Sequence, residues 1–135
     1  MILIINTSDI EEVTIGLIDQ GKVLALKNFR AKYRQAEKLL PSIDKLLKNA
    51  KVNLKDINGI VVADGPGPFS ALRIGIALAN TLGFALRIPV MGVKKERFSN
   101  PAELAAQAEK LIKQASVENI VLPFYGKEPN ITIKP

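Results

Sequence analysis

The chain has 135 residues, 47% of them hydrophobic, a formal net charge of +6 from 19 Lys+Arg against 13 Asp+Glu, and neither Cys nor His. This length makes one domain that buries roughly two thirds of its unfolded surface, and the apolar share excludes a disordered chain. The missing residue types exclude disulfides, thiol catalysis, structural zinc and imidazole acid–base chemistry.

In chain order, Ile-Leu-Ile-Ile-Asn at residues 2–6 is a continuous apolar run, the pattern of a central strand. It has no basic flank and is far too short for a signal peptide or a membrane span, so no membrane association is expected. Asp9, Glu11 and Glu12 follow as a run of carboxylates that reads as a solvated loop, and no metal site is expected. Val13, Ile15 and Leu17 alternate with Thr14, Gly16 and Ile18 in a second strand. Asp19-Gln20-Gly21-Lys22 reads as a hairpin turn with Gly21 supplying positive φ, and Val23 to Phe29 returns as a third strand. A helix is expected from about Tyr33 to Ala50, where Ala36, Leu39, Leu40, Ile43, Leu46 and Leu47 recur at helical spacing. Pro41 lies inside it and is expected to bend it. Ile60 to Ala63 is a buried strand, and a Gly/Pro turn leads from it into an apolar helix from Ser70 to about Leu86. Pro89 stops that helix before a fifth strand at Val90 to Val93. Residues 94–100 read as a polar linker. Asn100-Pro101-Ala102-Glu103 then has the form of a helix start: a cap, Pro at the first position and Glu at the third. Leu104, Ala108, Leu111, Ile112 and Ala115 form its apolar stripe. Ile120-Val121-Leu122 reads as a short strand, and the tail from Pro123 as extended.

Two features carry chemistry. The turn Asp64-Gly65-Pro66-Gly67-Pro68 between a strand and a helix N-terminus exposes backbone N–H groups where the helix dipole is positive, a geometry that can hold an anion. Thr7, Ser8, Gly65, Gly67, Ser70 and Arg73 are the candidate anion-binding residues; a bare tight turn has the same pattern. The second feature is a stripe of small residues, Ala71, Gly75, Ala79 and Gly83, on a helix that is apolar almost all round. Two glycines inside a helix cost up to about 1 kcal/mol each against Ala, a cost that close approach of a neighbour would offset. That neighbour is either the chain's own first helix or a partner's helices. The basic excess between Lys22 and Lys55, with Arg30, Lys32, Arg34, Lys38, Lys45, Lys48 and Lys51, is either a solvated face or a contact for RNA. Only Phe29 and Tyr33 are interleaved with it as aromatics.

Gly-Pro-Gly-x-Phe-Ser-x-Leu-Arg-Ile-Gly, Gly65 to Gly75, resembles the signature of the TsaB (YeaZ) family. Ile5-Asn6-Thr7-Ser8, Gln35 to Pro41, Ile88 to Val93 and the tail from Pro123 to Thr132 are similar to further motifs of that family. The resemblance implies an α/β fold like the ribonuclease-H-like half of the actin/Hsp70 superfamily. A mixed five-stranded sheet with helices is expected at residues 1–93, and 94–135 form a reduced C-terminal helix-strand appendage. Where the family has a sizeable second domain, one helix and one strand are expected here, the pattern of a shortened member. Asn6 stands where the family has Asp, Pro68 where it has Ser and Ala71 where it has Gly. The resemblance further implies a noncatalytic, cytoplasmic scaffold subunit in the synthesis of threonylcarbamoyladenosine in tRNA. Its partners would be a TsaD-like protein and a TsaE-like ATPase, and alone it would form a homodimer. Contact with tRNA would be indirect, and no cofactor is expected on this chain because the nucleotide belongs to the partner. Ala36, Leu40, Ile43, Leu47, Leu72, Gly75, Ile76, Ala79 and Gly83 are the residues expected at the partner interface. A stand-alone phosphate- or nucleotide-binding domain and a basic RNA-binding module are the alternative functions.

Overall fold

The N-terminal apolar run sits at the middle of the sheet because, up to Asn6, neither of its faces is polar. In the computed structural model, which describes residues 1–125, strand β1 (Ile2–Asn6) pairs antiparallel with β2 (Glu12–Asp19) and parallel with β4 (Gly59–Gly65). With β3 (Lys22–Arg30) and β5 (Val90–Lys94) the sheet order is β3-β2-β1-β4-β5. The register sets Ile5 opposite Ile15 on one side and Val62 on the other. Leu3, Ile4 and Ile5 are fully buried, as a strand covered on both faces must be. The hairpin forms as expected: Asp19 pairs with Lys22, and Gln20 and Gly21 both have positive φ, 50° and 77°. This is the backbone twist that two-residue hairpins require.

Alternate residues of β1 serve different layers. Leu3 and Ile5 face a core shared with α1 (Gln35–Asn49) and α2 (Phe69–Leu86). Ile2 and Ile4 face a second core built by α3 (Pro101–Lys113) through Leu104, Ala105, Ala108, Leu111 and Ile112. Residues 94–113 therefore complete the domain, covering the second face of its sheet, where an appendage beside it had been expected. The reason is energetic: without α3, the Ile2, Ile4, Val61 and Ala63 side would lie open to water. The expected polar linker is a 3-10 turn, Lys95–Ser99, that buries Phe98 in this core. Helix α1 continues through Pro41.

Ile120 to Leu122 is not a strand. The segment is extended, but the backbone N–H and C=O of Val121 bond to the side chain of Asn80 on α2, at 3.0 Å each, instead of to a sheet edge. The Pro129 to Thr132 part of the tail motif lies outside the described residues.

The start of α3 has a built cap. Asn100 accepts a hydrogen bond from the Glu103 N–H at 3.2 Å, with Pro101 at the first helical position. We expect Asn100→Ala to cost about 1 kcal/mol, read as a fall of roughly 3–5 °C in the midpoint of thermal unfolding. No measurable shift would mean that packing of the apolar stripe alone holds this end.

Candidate functional site

Strands β1, β3, β4 and β5 all run in one direction, so their carboxyl ends share one rim of the sheet. Ligands of open α/β sheets bind at such a rim. Here β1 ends in a closed turn: the Asn6 side chain accepts from the Ser8 N–H at 2.9 Å and from the Ser8 hydroxyl at 2.5 Å. Asn6 thus shapes the loop that carries Thr7 and Ser8, both buried. Asp9 does the same for the next step, accepting from the N–H groups of Glu11 and Glu12 at 2.7 and 3.2 Å. Among the described residues no three His, Cys, Asp or Glu side chains cluster as metal ligands.

The glycines of the turn are there for close approach. A Cβ on Gly67 would stand 2.6 Å from the Ser8 carbonyl oxygen, so the turn lies directly on the loop after β1. Gly65 has φ +130, and a Cβ there would overlap the carbonyl oxygen of Phe124. The fold therefore brings Thr7, Ser8, Gly65 and Gly67 together, but not around one open point. Ser70 is exposed at the start of α2. Arg73 turns outward to the end of the described chain: its Nε donates to the Tyr125 hydroxyl at 3.1 Å, and its guanidinium lies 5.6 Å from the Phe69 ring. Phe69 and Tyr125 stack with ring centroids 3.8 Å apart. Thr7 is buried under α2, its Oγ1 beside Gly75 and without a hydrogen-bond partner among the described residues.

The small-residue stripe faces inward. Ala71 and Ala79 are buried with Gly75 and Gly83. A Cβ on Gly75 would overlap the Thr7 hydroxyl, and one on Gly83 the Val90 side chain. The close neighbour is thus the chain's own sheet, neither α1 nor a partner. Leu72, Ile76, Ile43 and Leu47 lie in the same core. Of the nine residues expected at a partner interface, only Ala36 and Leu40 are exposed. The correction has a simple cause: a sheet needs a smooth helix surface against it, and α2 meets the sheet with its smallest residues.

What α2 turns outward is mixed, with Ser70, Arg73 and Thr81 exposed beside apolar residues. Phe84 is 81% exposed and Phe69 54%, at opposite ends of the helix, and Ile74, Leu78, Leu82 and Leu86 are half-buried against the core. Leu40 of α1, at 51% exposure, extends the same side of the molecule. Helix α2 has the length and apolarity of a membrane span, a test that core helices of soluble folds also pass.

Four of the ten basic residues from Lys22 to Lys55 are paired with acids. Arg30 and Lys32 lie 3.8 and 3.6 Å from Glu11, Arg34 2.6 Å from Glu37, and Lys48 2.9 Å from Asp44. Sequence reading had not found Asn80, Phe69 or Tyr125 as site-forming residues. The available signal was Asn80, an amide inside an apolar helix.

The family described as TsaD, tRNA N6-adenosine threonylcarbamoyltransferase, matches residues 30–121. The chain is 37% identical over 93 residues to the tRNA threonylcarbamoyladenosine biosynthesis protein TsaB of Buchnera aphidicola from Schizaphis graminum, covering 69% of this chain and 43% of that protein. It is 35% identical over 92 residues to TsaB of Bacillus subtilis, covering 68% of this chain and 40% of that protein. Among solved structures, YeaZ from Pseudomonas aeruginosa superposes with a TM-score of 0.64 at 32% identity, over 69% of this chain and 43% of that one. The chain thus spans less than half the length of these relatives.

Proposed function

This chain belongs to the TsaD family, as one of its TsaB (YeaZ) members, and on that premise we propose that it is a noncatalytic subunit that pairs with a TsaD-like protein in threonylcarbamoyladenosine modification of tRNA. The observation that carries the proposal is the outward face of α2. Phe84, with the half-buried Leu78, Leu82 and Leu86, leaves apolar surface on α2 open among the described residues, while the Phe69 ring at the other end of the helix is stacked on by Tyr125. Such surfaces on a soluble domain mark interaction sites. A TsaD-like partner fits for a structural reason: the family match runs over α1, β4, α2, β5 and α3, so a TsaD protein offers its own version of the same helix pair. Two such pairs can pack as a pseudo-symmetric bundle, and a second copy of this chain could occupy the surface when the partner is absent. In this reading the nucleotide, a TsaE-like ATPase and the tRNA are engaged through the partner.

The catalytic role falls to the partner because this chain's rim is already engaged. Asn6 holds the Ser8 turn, and Arg73 meets Tyr125. The sequence offers no His or Cys as base or nucleophile.

The test is size-exclusion chromatography with light scattering, with the chain alone and mixed with the TsaD-like protein of its host. A complex with one copy of each is expected, and modification of tRNA in a reconstituted reaction should depend on both. A clean monomer in both runs removes the proposal. The isolated chain should also show no ATP turnover; activity that survives repurification would make it an enzyme in its own right.

A further inference from the structure

The segment 119–125 runs beside β5 from its first residue and reaches the carboxyl rim at Phe124 and Tyr125, and its contacts come from three elements, β4, β5 and α2. Asn119 donates from its side chain to the Val90 carbonyl on β5 at 2.7 Å. Asn80 on α2 donates to the Val121 carbonyl and accepts from the Val121 N–H. The Phe124 N–H donates to the Asp64 carbonyl at the end of β4 at 2.6 Å, and Lys94 on β5 lies 4.0 Å from the Phe124 ring. Tyr125 stacks on Phe69 at the first residue of α2 and receives the Arg73 hydrogen bond. The carbonyl of Phe124 fills the space beside Gly65 that any side chain there would need.

We propose that residues 119–125 form a strap that closes the carboxyl rim in cis, an occluding contact that covers the Gly65 turn with the chain's own backbone. The strap differs from a core strand in what holds it. Only Val121 is buried, against Gly92, while Ile120 and Leu122 are 69% and 74% exposed. It is fastened by a few discrete hydrogen bonds and one aromatic stack, with little apolar burial. A segment held in this way opens at lower cost than the sheet beneath it. Gly65 and Asn80 are the positions the closed state needs: the first leaves room for the Phe124 carbonyl, and the second replaces the ladder partners that Val121 lacks. This inference goes beyond the partner assignment and does not depend on it.

The chain has no cysteine, so one introduced thiol reports on the rim. Asp64→Cys keeps the backbone carbonyl that the strap uses and replaces a side chain that is only 19% exposed. With the strap closed, this thiol should react slowly with a maleimide. Adding Asn80→Ala and Tyr125→Ala removes both Val121 hydrogen bonds and the aromatic stack. The labelling rate should then rise about tenfold or more, and amide exchange at 119–125 should quicken to match while the β4 and α1 amides stay protected. Should the triple variant lose its fold, Asp64→Cys with Tyr125→Ala alone carries the test, with a smaller rise expected. Equal labelling rates with and without the clasps, in a folded protein, would overturn the strap. So would amide exchange at 119–125 already as fast as in an unstructured peptide before any clasp is removed.

Discussion

Gly75→Leu is expected to unfold the chain or to lower its stability by about 3 kcal/mol, at the upper end of the usual cost of overpacking. The first added carbon already overlaps the Thr7 hydroxyl, and Thr7 has no room to yield, being buried at the end of the central strand. Helix α2 would have to lift from β1, exposing Leu72 and Ile76 from the main core. Against a total stability of about 5–15 kcal/mol for a domain, this is a large fraction. Thermal unfolding followed by circular dichroism measures it, with a fall of roughly 10 °C or a lost cooperative transition expected. Gly83→Leu should behave alike, because it strikes Val90 on β5. A Gly75→Leu protein that unfolds like the wild type but fails to bind its partner would put the stripe at the interface instead.

Phe84→Lys is expected to do the reverse: to leave the fold intact and abolish pairing. Phe84 is 81% exposed, so its ring contributes little to the monomer, and a change there should stay within about 0.5 kcal/mol. The site lies in the last turn of α2, where a cation is favourable with the helix dipole. At a packed interface, an aromatic anchor replaced by a charge should cost about 2 kcal/mol or more, a loss of roughly thirtyfold or greater in affinity. Titration of the TsaD-like partner with wild-type and Phe84→Lys chains, both checked for equal thermal midpoints, makes the measurement. Undiminished affinity would move the interface off the outer face of α2. The two variants also check each other: the inward residue should report on folding and the outward one on assembly.

Much of the fold is legible in the residues themselves. An uninterrupted apolar run marked β1 as central, and Asp19-Gln20-Gly21-Lys22 marked the hairpin. Asn100-Pro101-Ala102-Glu103 marked the start of α3. Each of these is a local signal, set by side-chain periodicity, by positive φ or by a cap within four residues. The turn at Gly65 to Pro68 was legible in the same way, as a Gly/Pro break between a strand and a helix. The anion-binding reading of that turn was local too, and so it could not register that Phe124, distant in sequence, lies against Gly65.

What the sequence determined alone, then, is the order and type of the five strands and three helices up to α3, because hydrophobic period and turn chemistry act over a few residues. What only the tertiary structure decided is direction. Helix α2 is apolar almost all round, so its pattern holds a small-residue stripe but no polar face to say which side meets the sheet. Packing settled it: Thr7 and Val90 approach too closely for anything larger than glycine, which leaves Phe84 outside. The same holds for Asn80, whose partner Val121 is 41 residues away. In sequence it is a polar interruption in a helix. In the fold it is the clasp of an extended segment, since a backbone N–H and C=O without a ladder partner must find another one when the chain passes over a packed surface.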